Sequence, residues 1–221
     1  MGLGYGRNLA IKESKNNLVA ALDSDVVPDK KWLINLYNSM IKNKSHLSGG
    51  LLVEKYLKNN RYNYWRTIHI MHRFKERIIP NVQTFITGSN MLLNKDAWAK
   101  IGGYDEQFRT NGEDVHFCIK LKLNEYKISY DSEAYCYHLQ NDNLQSLLNR
   151  SWRYYISGTG LKKPTYKRMI LRSIKHSKHC LINFTKDLIN LRFSILDINF
   201  RVLFNYIKME YKSCKDKEIK F

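Results

Sequence analysis

Two periods of apolar residues run along the chain, and the switch between them separates strands from helices. Leu18 to Leu22 is an unbroken apolar run between polar clusters, which predicts a buried strand. Ser48 to Val53 repeats that signature, and Val82 to Leu93 predicts one or two short strands broken at Gly88. Two more short strands are predicted at Lys127 to Tyr130 and Ala134 to Tyr137. Helical spacing appears between them, over Asn8 to Lys15 and again over Asp29 to Asn43, where Trp32, Leu36 and Met40 form one stripe and Asp29 is placed to cap. Arg61 to Phe74 carries mixed helical signals. Lys95 to Ile101 predicts a short helix that stops at Gly102 and Gly103, and Glu113 to Leu123 another. Strands alternating with helices predict an α/β fold with a mostly parallel sheet flanked by helices.

From Leu144 onward the spacing is helical throughout, punctuated by Gly158, Gly160 and Pro164. The expected division is therefore an α/β domain over residues 1–143 and a helical region over residues 144–221. In that region Met169, Ile170, Ile174, Leu181, Phe184 and Leu188, then Leu196, Leu203 and Ile207, recur at helical intervals over Tyr166 to Asn190 and Phe193 to about Lys212.

Composition adds a charge asymmetry to this picture. The 221 residues carry a formal net charge of +17, and 43% of them are hydrophobic, which excludes a disordered chain. Residues 1–150 hold 21 Lys and Arg against 15 Asp and Glu, whereas residues 151–221 hold 16 against 5. A basic helical region suits anionic lipid, nucleic acid or phosphorylated substrates. No zinc-finger spacing, RNP-like aromatic motif or helix-turn-helix is present, so nucleic acid is not an expected partner. The basic helices are expected either to lie on an anionic membrane face or to pack against the α/β domain. Four cysteines form no C-x-x-C pair, and no apolar leader or 18-residue uncharged run occurs. The expected location is cytoplasmic, with a possible peripheral site on the cytoplasmic membrane face.

Candidate chemistry begins at the end of the first strand, where Asp23 and Asp25 follow the apolar run. In extended backbone these side chains point the same way, an arrangement suited to a hard divalent cation bridging to phosphate oxygens. Two further pairs, His69-x-x-His72 and His176-x-x-His179 beside Cys180, place imidazoles on one helix face. Neither has a second ligand pair at zinc-like spacing, so both read as amphipathic helix surface.

Four segments stand in a fixed order: RNLAIKESKNNLVAALDSD, FITGSNMLLNKDAWAKIGGYDE, NGEDVHFCIKLKLNEYKISY and AYCYH. Together, over Gly4 to His138, they resemble the family 2 nucleotide-sugar glycosyltransferases, which have the GT-A fold. The resemblance implies that Asp23-Ser24-Asp25 is a DXD motif serving Mn²⁺ or Mg²⁺ on a donor diphosphate. Asp25 is then the direct ligand, and Asp23 reaches the nucleotide ribose or, through water, the metal. It implies His138 as a further metal ligand, beside its alternative reading as a structural histidine. Glu113-Asp114 matches the ED motif, with Asp114 as general base of an inverting displacement. Gly88, Ser89 and Asn90 match the segment beside the donor sugar, and Arg7 and Asn8 the stretch near the pyrophosphate. Gly102 to Glu106 matches a turn that positions the Glu113-Asp114 loop.

The implied activity is metal-dependent, inverting transfer of a sugar from a nucleotide diphosphate to a hydroxyl on a glycan, lipid-linked or protein-linked acceptor. Members of that family usually begin about two βαβ units before the equivalent of Gly4, roughly 60 to 90 residues. The expected GT-A-like sheet is therefore partial, with Leu18 to Leu22 on an apolar free edge. The alternative expectation is a non-catalytic remnant or interaction module that needs a partner chain to complete the sheet.

Overall fold

The computed structural model describes residues 2–57, 60–71, 86–158 and 164–217. Two compact units emerge, Met1–Lys55 with Glu76–Gln140 and Tyr56–Lys75 with Asn141–Phe221. The expected boundary at 143/144 lies close to the second junction. The difference is the 56–75 segment, which groups with the helical residues because Trp65 shares a buried cluster with Leu147, Ile195, Ile198 and Val202.

In the first unit, helix α1 (Leu3–Glu13) leads to β1 (Leu18–Leu22), β2 (Val26–Pro28), α2 (Trp32–Asn43) and β3 (Leu47–Glu54). After these come β4 (Asn90–Asn94), α4 (Lys95–Lys100), α5 (Glu113–Leu123) and β5 (Ile128–His138), α3 (Arg61–Arg66) belonging to the other unit. The five strands form one sheet in the order β1-β4-β3-β5-β2. Alternation along β4 shows how it is buried on both faces. Met91 and Leu93 join one cluster with Ile11, Ile101, Phe117 and Leu121, while Leu92 joins another with Trp32, Leu36 and Met40. The stripe expected on α2 is the one that packs.

The expected α/β class with a sheet between helices stands, but the mostly parallel pairing does not. Among the described strands only β3 and β5 run parallel; β1 with β4, β3 with β4, and β2 with β5 are antiparallel. Alternation of strands and helices predicts parallel neighbours only when successive strands are also adjacent, and here β4 is inserted between β1 and β3. The two strands expected at 127–130 and 134–137 are one strand. It bulges between the pairs Gly50↔Asp131 and Leu52↔Cys136, so the intervening residues break the alternation without ending the ladder. Residues 82–85 of the expected Val82 to Leu93 strands lie outside the described residues. Helix α2 starts at Trp32, and Asp29 binds the Lys31 N–H through its side chain rather than capping the helix. At the edge expected to be free, β1 has one neighbour among the described strands.

The second unit holds α3, a π-helical turn at Thr67–Met71, α6 (Leu144–Gly158), α7 (Tyr166–Ile189) and α8 (Leu196–Asp216). Helix α7 is oriented against its hydropathy. Its buried residues are His176, Cys180, Asn183 and Asp187, whereas Ile170, Leu171, Ile174, Leu181 and Leu188 are exposed. No helix among the described residues is long and apolar enough to cross a membrane.

Candidate functional site

The site is built where β1 ends. Asp23-Ser24-Asp25 is a turn between β1 and β2, closed by Val26 N–H donating to the Asp23 carbonyl at 3.2 Å. The extended backbone expected there is absent, and the two aspartates accordingly meet different partners. Both remain wet, with side chains 44% and 42% exposed.

Asp23 accepts from Arg7 Nη2 at 3.1 Å. The remaining fork of Arg7 is also engaged, Nε donating to Glu113 Oε1 at 3.0 Å and Nη1 to the Gly88 carbonyl at 2.9 Å. Arg7 lies on α1 and Glu113 opens α5, so one guanidinium ties two helices to the β1 turn. Gly88 closes the circuit by donating its N–H to Asp114 Oδ2 at 3.1 Å. A Cβ at Gly88 would stand 2.5 Å from Arg7 Cζ, and glycine is what lets the arginine lie against this peptide. Glu113 is nearly sealed, its side chain 3% exposed and its Oε2 buried with no hydrogen-bond partner among the described residues. Burial, and then the neighbouring Asp114 charge, raise its pKa above the ordinary carboxylate value, with Arg7 opposing. Asp114 is only partly buried, and its Oδ1 accepts from Val115 N–H.

Asp25 belongs to a second relay. Its Oδ2 lies 3.3 Å from His138 Nε2, and His138 Nδ1 lies 2.9 Å from Glu54 Oε1. Backbone pairing fixes the histidine from both sides, since His138 is in register with Val26 of β2 and with Glu54 of β3. The plan repeats: each open aspartate is backed by a nitrogen-bearing side chain, and that side chain by a sealed glutamate. Five of these six are among the residues expected from the sequence; Glu54 is not. The available signal was a lone acid closing the otherwise apolar strand LSGGLLVE.

Other expected residues are placed elsewhere in the same unit. All hydrogen-bonding positions of the Asn8 amide are used, Nδ2 on Tyr104 O and Glu106 Oε1, and Oδ1 by Tyr104 N–H and Trp98 Nε1. Asn8 thus clamps the Gly102–Glu106 turn, where Gly103 holds a φ of +63°. Tyr104 of that turn stacks on Phe117 of α5 with ring centroids 4.2 Å apart, which links the turn to the helix bearing Glu113 and Asp114. Asn90 is fully buried. It accepts from Trp32 Nε1 at 2.6 Å and donates to Leu51 O and Ala134 O. Ser89 is buried and its hydroxyl donates to Thr87.

Among the described residues, no three His, Cys, Asp or Glu side chains converge as a metal cage. Asp25 and His138 nevertheless fit a divalent ion as a pair. Adjacent ligands of an octahedral ion with bonds near 2.1 Å stand about 3 Å apart, and hard ions at phosphate-transfer sites take most other ligands from phosphate and water. In the helical unit, His69 contacts buried Asp187 at 2.9 Å, His176 is packed against the rings of Tyr155 and Tyr206, and His72 lies outside the described residues.

The family model for glycosyl transferase family group 2 matches residues 18–208. Pre-mycofactocin glycosyltransferases from Mycobacterium tuberculosis strains CDC 1551 / Oshkosh and ATCC 25618 / H37Rv are each 24% identical over 157 residues, covering 69% of this chain and 33% of theirs. The chain therefore spans about a third of the length of these curated relatives. A mannosyltransferase from Pyrobaculum calidifontis, solved in complex with GDP-Man and Mn²⁺, superposes with a TM-score of 0.48 at 11% identity, over 69% of this chain and 41% of that one.

Proposed function

The chain belongs to glycosyl transferase family group 2, and we propose that it transfers a sugar, with inversion, from a nucleoside diphosphate to a hydroxyl of a glycan, lipid-linked or protein-linked acceptor. The observation that carries this reading is the pair of relays, which gathers Asp23, Asp25 and Asp114 through Arg7, His138 and the Gly88 peptide within one unit.

Each residue then has a role set by exposure. Asp114, partly open and held by backbone N–H groups, accepts the proton of the acceptor hydroxyl. Glu113 is too deeply buried to meet substrate and acts through Arg7. Arg7 holds Asp23 in place and offers positive charge to the donor. Asp25 and His138 would hold Mn²⁺ or Mg²⁺, which would supply positive charge to offset the negative charge growing on a departing diphosphate. The Gly88-Ser89 backbone faces the donor, while Asn90 and Asn8 keep that segment and the Gly102–Glu106 turn in shape.

Release of nucleoside diphosphate from a panel of nucleotide sugars with Mn²⁺ tests this. Asp114→Asn is expected to lower kcat by about 10²–10⁴-fold, and Asp25→Asn to abolish the metal response, both with an unchanged melting temperature. Full activity in both variants would sink the reading. The single-sided β1 edge favours a second reading, in which the chain acts only with another strand paired to Leu18–Leu22. Donor turnover by the purified chain alone excludes it.

The exposed apolar face of α7 supports peripheral binding to an anionic membrane. Ile170, Ile174 and Leu181 lie outward, with Lys167 and Lys178 among them. Sedimentation with phosphatidylglycerol vesicles is expected, and Ile174→Glu with Leu181→Glu should release the protein. Equal sedimentation of that variant would remove the proposal.

A further inference from the structure

Glu54 has no part in the reading above beyond its contact with His138, yet its position is unusually constrained. It is the last residue of β3, paired in register with His138, and its side chain is 2% exposed. A buried carboxylate that ends a core strand is expensive unless a donor meets it. One such donor is the His138 ring, whose Nδ1 lies 2.9 Å from Glu54 Oε1.

We propose that Glu54 is a positioning residue for a divalent cation: it keeps a proton on His138 Nδ1 and so turns Nε2 toward Asp25 as the ligating nitrogen. This rests on the proposed cation role of Asp25 and His138. A carboxylate only accepts, so the proton shared with Glu54 sits on Nδ1. Nε2 then faces Asp25 Oδ2 at 3.3 Å. At this distance either a proton on Nε2 or a cation stands between the two atoms, and a divalent ion that displaces the proton takes a lone pair from each. The Glu54 carboxylate also strengthens the imidazole as a ligand, because a charged partner on the far nitrogen raises the electron density available at the near one.

Long-range ¹H–¹⁵N spectra of histidine-labelled, metal-free protein read the tautomer directly, and paramagnetic broadening of the same signals during Mn²⁺ addition reads affinity. Wild type should show His138 protonated at Nδ1 and broaden first at His138. Glu54→Ala should shift the ring toward the Nε2–H form and weaken Mn²⁺ binding about 10–100-fold. Glu54→Gln, whose carbonyl oxygen still accepts from Nδ1, should keep the tautomer and recover most of the affinity, and it also answers the question if Glu54→Ala fails to fold. Wild-type Mn²⁺ affinity with an unchanged tautomer in Glu54→Ala overturns the role of Glu54 alone, as does a Gln variant as weak as a folded Ala variant. No broadening at His138 in wild type overturns the cation reading itself and this proposal with it.

Discussion

Carboxylates in the sheet unit and in the helical unit are handled in opposite ways. Asp23 and Asp25 keep more than two fifths of their side-chain surface in water, and their cationic or imidazole partners are shared with other groups. Asp142, Asp187 and Glu210 are sealed, and each is matched inside its own unit: Asp142 with Arg66 at 2.7 Å, Asp187 with His69 at 2.9 Å, Glu210 with Arg172 at 3.2 Å. A sealed, matched acid holds helices together and has no capacity left for a ligand. An open acid with a braced partner contributes little to folding and is kept in position for something that arrives. The sealed acids of the sheet unit, Glu54 and Glu113, serve the open ones through a single intermediary, so burial by itself does not mark a purely structural residue.

The sharpest way to break this contrast is to remove one acid from each side. Asp142→Ala strips the buried Arg66 of its carboxylate and should cost about 3–5 kcal/mol, as removing one member of a buried pair does. Asp25→Ala should change stability by less than about 1 kcal/mol, since half-exposed pairs contribute little. Chemical denaturation of both variants checks the pair. Similar losses in the two would dissolve the distinction.

Asn90→Ala gives a smaller effect that sorts scaffold from site within the sheet unit. The substitution removes the acceptor of the buried Trp32 Nε1 and the donor to the carbonyls of Leu51 and Ala134. A loss of about 1–3 kcal/mol is expected from buried unsatisfied groups. An unchanged midpoint with a raised KM for donor would instead place Asn90 at the ligand.

That residue also shows what could be read from the sequence. Glycine, serine and asparagine at 88–90 stand out by type and order, but whether an asparagine points to ligand or into a sheet depends on which strands flank it, and β4 lies between two strands distant in sequence. Local signals survived well: the helix expected from about Glu113 to Leu123 is α5, and the α2 stripe packs as expected. Pairing direction did not, because alternation says nothing about strand order. Glu54 escaped for the same reason, its meaning arising only from its register with His138. In α7 the apolar positions were legible while their orientation was not, since buried partners for His176 and Asp187 come from other segments of the unit.

The smallest effect is a difference in how the two units respond to acid. His176 is packed between the rings of Tyr155 and Tyr206, and burial, reinforced by His179, Lys175 and Arg172, pushes its pKa down to about 4 from 6.5. The folded helical unit therefore binds this proton less readily than the unfolded chain. Its stability is complete above pH 6.5 and falls as pH drops toward 4, by about 1–2 kcal/mol at pH 5. Glu113 has the opposite sign, because a raised carboxyl pKa gives stability below the unfolded value that is lost as pH rises through the folded one. Acidification from pH 7 to 5 should thus weaken the helical unit, while protonation of Glu113 acts in the opposite direction in the sheet unit. Amide exchange measured at both pH values resolves the units separately. His176→Phe, which keeps an aromatic ring without the titrating nitrogen, should flatten the response of α7 and α8 alone; an equal pH dependence in that variant would mean that another group governs the helical unit.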